Sequence, residues 1–226
     1  MRRRAGLDEP TPAFNAELVE QFRAIPGFWG EGKTAADAPF EHDEMGSLDL
    51  RRALLDGLSG QVVYAARFAG YLSKDVSKAD DFMRIRLDTD KFDYATFCNQ
   101  TLPRLITAFR PYRGYMETDA KVRAAGWEIT RQQSRQTGRN IDGRDSIYRI
   151  WPVCWFDDEL SRRSFGIGVE DAVRRVVSEC ERAELIAGCA FLIVTSAIVT
   201  GSNLDAIDAR IKARLQGGAI AQRGVG

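Results

Sequence analysis

The sequence predicts an α+β fold: a mixed or antiparallel sheet of about four to five strands packed with helices in a single domain. Three observations lead there. Apolar residues recur at helical spacing in several segments, such as Phe14, Leu18, Phe22 and Ile25. Other segments are β-branched or aromatic runs bounded by turn residues. These strands group in pairs separated by helix pairs instead of alternating one with one, which argues against a doubly wound parallel sheet. The chain has 226 residues, 44% of them hydrophobic and 28% charged, enough for one core without a disulfide or metal staple.

Taken in order, residues 1–11 are charged and read as a flexible N-terminus, and residues 217–226 as a flexible, Gly-rich tail, leaving 12–216 as the domain. Residues 12–25 form a first amphipathic helix ended by Pro26-Gly27. Residues 28–46 hold no period and read as a long loop; Ser47 then caps a short helix over 48–58. Strands follow at 61–71 and at 82–87, where Phe82-Met83-Arg84-Ile85-Arg86-Leu87 alternates. Asp93 opens a helix to about Phe109, with Pro103 marking a kink or a late start. A basic helix over 119–137 leads through turn residues to an aromatic strand at 147–156, interrupted by Pro152. An acidic helical turn at 157–160, a helix over 169–184, a buried strand around 190–199 and a helix over 204–215 close the chain. Residues 185–204 lack charge for 20 residues, but glycines and hydroxyl side chains break the run, so a core strand explains it better than a membrane span.

Charge and cysteine narrow the function classes. The 32 basic and 32 acidic side chains cancel, so no global field draws the chain to nucleic acid or to an anionic membrane. Cys98, Cys154, Cys180 and Cys189 include no CxxC pair and the chain has one His, so neither a zinc site nor a metal or organic cofactor is expected. Their apolar neighbours suit buried free thiols, and a basic start without an apolar stretch behind it is not a signal peptide; a cytoplasmic location is the expectation.

Four segments carry possible chemistry. Gly27-Phe28-Trp29-Gly30-Glu31-Gly32-Lys33-Thr34 satisfies the phosphate-loop pattern GxxxxGK[ST], but the chemistry needs a strand before the loop and a helix after it, whereas a helix precedes it and Pro39 follows closely. Residues 31–49 carry a net charge of −5, with Glu41, Asp43 and Glu44 around His42 and with Trp29 beside them as an apolar anchor. Asp157-Asp158-Glu159 is a second acidic cluster, better explained as the start of a helix, where acidic side chains oppose the positive end of the dipole. Residues 101–149 carry a net charge of +5 with Tyr112, Tyr115 and Trp127 interleaved, a pattern open to nucleic acid but more often a solvated helix face.

Gly143-Arg144-Asp145-Ser146-Ile147-Tyr148-Arg149-Ile150-Trp151-Pro152-Val153, followed by Phe156-Asp157-Asp158-Glu159-Leu160 and Arg163-Ser164-Phe165-Gly166, resembles cytoplasmic immunity proteins of bacterial polymorphic toxin systems over roughly residues 92–215. The resemblance implies a stoichiometric inhibitor that occludes a cognate toxin and has no reaction of its own. The expectation is therefore a binding protein with no catalytic residues, whose contacts to a basic protein partner are Trp29, Glu41, Asp43, Glu44, Asp157, Asp158 and Glu159. The alternative is an enzyme, or a nucleotide- or nucleic-acid-binding protein that uses residues 27–34 or the basic segment 104–149.

Overall fold

The computed structural model describes residues 1–42, 45–73 and 76–217. The chain divides into two compact units, Met1–Pro111 and a second that begins at Tyr112, where the sequence predicted one domain. The first unit runs β1 (Arg2–Arg4), α1 (Thr11–Arg23), β2 (Phe40–His42), β3 (Gly46–Asp49), β4 (Leu58–Tyr64), α2 (Ala69–Leu72), β5 (Asp80–Leu87), α3 (Tyr94–Thr96) and α4 (Leu102–Phe109). Its strands pair antiparallel in the order β2-β3-β4-β5-β1. Phe14, Leu18 and Phe22, four residues apart on α1, and Leu105 and Phe109 on α4 are buried, as are Leu48, Val62, Tyr64 and Met83 on one face of the sheet. The Phe14 ring meets Tyr64 edge-on at 6.0 Å, and the Tyr64 hydroxyl donates to Asn15 at 2.9 Å. Asp93 caps α3 as expected, accepting from the Thr96 N–H. Pro103 has no N–H to give the helix, and the chain widens into a π turn over Phe97–Thr101 just before it.

The N-terminal residues join the sheet. Strand β1 pairs with β5, and the fully buried Asp81 carboxylate accepts from Arg3 Nη1, Arg67 Nη1 and Arg67 Nη2, all at 2.8 Å, and from the Ala65 N–H at 2.9 Å. Glu9 bridges Arg3 and Arg110, and the Arg3 guanidinium lies 3.9 Å from the centre of the Phe14 ring. Charges this deep persist because each is answered by an opposite charge.

The second unit runs β6 (Arg113–Tyr115), α5 (Ala120–Thr137), β7 (Val153–Asp157), α6 (Asp158–Phe165), α7 (Val169–Val176), β8 (Arg182–Ile186), β9 (Cys189–Ile193) and α8 (Ser202–Gln216), with sheet order β6-β7-β9-β8, again antiparallel. Cys154, Phe156, Ala190 and Leu192 on one sheet face pack with Leu160, Val176, Leu204 and Ile211 of the helices. The alternate residues Val153, Trp155, Phe191 and Ile193 are buried as well, so β7 and β9 read as unbroken apolar runs. Gly114 lies opposite Trp155, and a Cβ there would fall 2.1 Å from Trp155 Cζ2; only glycine fits.

The described residues thus form nine strands, five in the first unit and four in the second, which corrects the expected four to five. Strands at 61–71, 82–87, 147–156 and 190–199 correspond to β4, β5, β7 and β9. The five unforeseen ones, β1, β2, β3, β6 and β8, span three to five residues, too few to display a period. Two of them replace predicted helix. Residues 46–49 pair with β4, burying Gly46 and Leu48 while Ser47 and Asp49 face outward. The helix predicted over 169–184 stops at Val176; residues 182–186 form β8 instead, which Ala187 and Gly188, both at positive φ, fold back onto β9. Of the predicted C-terminal tail, residues 218–226 lie outside the described residues.

Candidate protein-docking surfaces

Most of the predicted site residues are engaged by the fold itself. Residues 27–34 follow α1, not a strand, and turn at Gly27 and Gly32, both at φ 68°. Thr34 then caps a single 3-10 turn, Ala35–Asp37, in a reciprocal box: its hydroxyl accepts from the Ala36 N–H at 3.2 Å while Asp37 accepts from the Thr34 N–H at 2.8 Å. Those hydrogen bonds hold the Asp37 carboxyl below its ordinary range, and the Lys33 ammonium sits 3.7 Å from it. The strand–loop–helix cradle for phosphate is therefore not built here. Trp29 is half-buried, bridges Leu54 through its backbone and donates its indole N–H to the Lys33 carbonyl at 3.2 Å. Asp157 caps α6 by accepting from the Leu160 N–H at 2.8 Å, and Asp158 accepts from Arg162 at 2.7 Å and from the Val169 N–H at 3.0 Å. The Arg162 guanidinium first, and then the Val169 N–H, hold the Asp158 carboxyl below the usual carboxylate range. Glu159 pairs with Arg163 at 2.6 Å. This acidic cluster joins β7, α6 and α7. Asp43 and Glu44 lie outside the described residues. Glu41 is exposed on β2 and forms no ion pair with another described residue.

Glu41 belongs to the outward face of the first unit's sheet. Residues directly opposite in an antiparallel pair share a face, so the register lines up Glu41, Ser47, Val63, Phe82 and Arg2 in one row across β2, β3, β4, β5 and β1. Asp49, Gln61 and Arg84 form the next row, and Ser59 and Arg86 the third. Charge is graded across the face, from Glu41 and Asp49 on β2 and β3 to Arg84 and Arg86 on β5. Arg51 bonds Asp49 at 2.9 Å and keeps its carboxyl below the ordinary range. Arg84 and Arg86 are exposed and have no carboxylate partner among the described residues. The guanidiniums of Arg2 and Arg84 lie 5.5 and 5.7 Å from the centre of the Phe82 ring. The alternation of residues 82–87 carried this face in the sequence; what it lacked was the neighbouring strands, three of them unforeseen.

In the second unit the basic segment centres on α5. Asp119 accepts from the Lys121 and Val122 N–H groups at 2.9 and 3.1 Å to cap it, and from the Gly201 N–H at 3.0 Å to tie it to the start of α8. These backbone bonds, that from Gly201 foremost, lower the Asp119 pKa. Gly138 ends the helix in the left-handed region. Of the aromatics predicted to interleave with its charges, Tyr112 is buried and Tyr115 stacks on Trp151 at 5.1 Å, which leaves Trp127, 57% exposed.

Among the described residues no group of three or more His, Cys, Asp or Glu side chains is placed to hold a metal ion, and no helix is long and apolar enough to cross a membrane. The four cysteines are free; burial pushes the Cys98 and Cys180 thiols up to about 11 and the Cys154 thiol up to about 12. No protein-family model matches the chain, and neither curated proteins nor solved structures give a match.

Proposed function

We propose that this chain is a stoichiometric protein-binding inhibitor of the immunity type, acting in the cytoplasm by covering a toxin domain, and that the outward sheet face of the first unit seats the partner. The observation that carries the reading is that face: side chains which could do chemistry elsewhere are tied into caps and ion pairs, whereas Glu41, Gln61, Arg84 and Arg86 are exposed and bonded to nothing that the fold needs. Opposed charges across an interface speed encounter and fix register. A basic segment of the toxin lies against Glu41, with Asp43 and Glu44 beside it in sequence, and an acidic one against Arg84 and Arg86. Free, buried thiols suit a reducing compartment.

The test is co-expression with the polypeptide encoded by the adjacent gene, together with binding kinetics on the purified pair. Cells that express that polypeptide should survive only when this chain is present. The double variant Arg84→Glu, Arg86→Glu, or Glu41→Lys, should slow association about tenfold and flatten its dependence on salt. Failure of the wild-type chain to bind or to protect overturns the inhibitor reading; unchanged kinetics in both variants overturns the sheet face as the seat.

A further inference from the structure

We infer that α5 is a second docking element, a helix that sets Trp127 into a groove rimmed by carboxylates on a protein partner. The inference rests on the protein-binding reading above but on different residues. A surface helix normally hides an apolar stripe. This 18-residue helix fully buries only Thr130. Its inward line, Val122, Gly126, Thr130 and Ser134, is thin: Gly126 lies against the Tyr148 ring, and Ser134 accepts from the Ile141 N–H at 3.1 Å. The flank beside that line carries Trp127 with Ala124 three residues before it and Arg131 four after, the spacing of neighbours on one helix face. The Arg131 guanidinium lies 4.9 Å from the centre of the Trp127 ring system and pairs with Glu128 at 2.8 Å, so the indole is held in place while more than half of it stays open. Tryptophan is the side chain most often found carrying binding energy at protein interfaces, and a helix face entering a groove is a recurrent mode of recognition.

Charge names the occupant. Lys121, Arg131 and Arg135 accompany Trp127 on the open side against Glu128 alone, and Arg135 has no ion pair among the described residues. A carboxylate-rimmed groove answers that pattern. Single-stranded nucleic acid would also answer the charge, but it stacks bases on successive aromatics, and here Phe109 and Tyr112 are buried, Tyr115 is stacked on Trp151 and Tyr148 is half-buried against Gly126 under the Lys212 ammonium.

Solute quenching reads the inference directly, because Trp151 and Trp155 are buried and Trp29 half-buried, which leaves Trp127 as the most accessible indole. With the adjacent-gene product as probe, binding should protect the wild-type chain from acrylamide quenching. Trp127→Ala should leave the melting temperature unchanged, weaken binding roughly 30-fold or more and abolish the change in quenching. Arg135→Glu should slow association. Tight binding by the wild type with unaltered quenching, and an unaltered Kd for Trp127→Ala, overturns the α5 inference and leaves the inhibitor reading standing. No binding by the wild type removes both. Binding of a fluorescein-labelled 30-nucleotide single-stranded RNA that is lost in Trp127→Ala overturns it in favour of nucleic acid.

Discussion

Replacing Asp81 with alanine tests the energetics of the first unit. The carboxylate is fully buried and takes four hydrogen bonds, three of them from the guanidiniums of Arg3 and Arg67, whose side chains are 10% and 11% exposed. Removing one member of a buried ion pair costs about 3–5 kcal/mol, since the stranded charge has lost water and gains nothing in return. Arg3 retains Glu9, which softens the loss on one side, but Arg67 keeps only the carbonyls of Ala65 and Glu9 and the Ala65 N–H loses its acceptor. The expected loss is therefore about 3–5 kcal/mol out of the 5–15 kcal/mol typical of a folded chain. Asp81→Asn keeps an acceptor for the Ala65 N–H and should fall between alanine and the wild type. Replacing Arg3 and Arg67 with Met together with Asp81 with Leu should recover much of the loss, because it removes the charges with the carboxylate. Urea unfolding followed by far-ultraviolet circular dichroism measures all three. A loss below about 1 kcal/mol for Asp81→Ala would show that water reaches the two guanidiniums and that the argument from burial is wrong.

Three further outcomes follow from the packing and the ionisable groups. Gly114→Ala should destabilise by at least the 1–3 kcal/mol typical of overpacking, because the new Cβ meets the Trp155 ring at 2.1 Å; a melting temperature equal to that of the wild type refutes it. Ile193→Asp places an unpaired carboxylate in a strand whose five residues are all buried and should leave the chain unfolded at room temperature by circular dichroism; a native melting curve would move β9 out of the core. Burial raises the Cys98, Cys154 and Cys180 thiols to about 11, 12 and 11, so the folded state holds protons that the unfolded state releases above about pH 8.5. Stability should fall as pH climbs from there toward 12, and an aromatic disulfide reagent at pH 8 should label Cys98 and Cys154 only after denaturant is added; rapid labelling of both in the native protein refutes their burial.

The sequence alone determined the elements whose pattern is long and local. Residues 12–25 and 119–137 carry a helical period, a cap or a stop signal within one segment, and residues 82–87 alternate, so all three were legible before any tertiary contact was known. It also disclosed that the phosphate-loop pattern sat behind a helix, and offered a helix start beside a partner contact as the use of Asp157 and Asp158. The tertiary structure decided the rest. Strands of three to five residues exist because a partner supplies their hydrogen bonds: Leu48 joins β4 rather than a helix, and Arg182 turns back onto β9 although acidic and apolar neighbours favoured helix. Arg2, set aside with a charged tail, became the end of a row that starts at Glu41. The candidate docking face was spread over strands from residue 2 to residue 86, and the exposure of Trp127 depended on which side of α5 the Tyr148 ring occupied. Periodicity is fixed by the backbone within a segment, whereas the face a side chain shares is fixed by register between segments, and that is settled only when the chain folds.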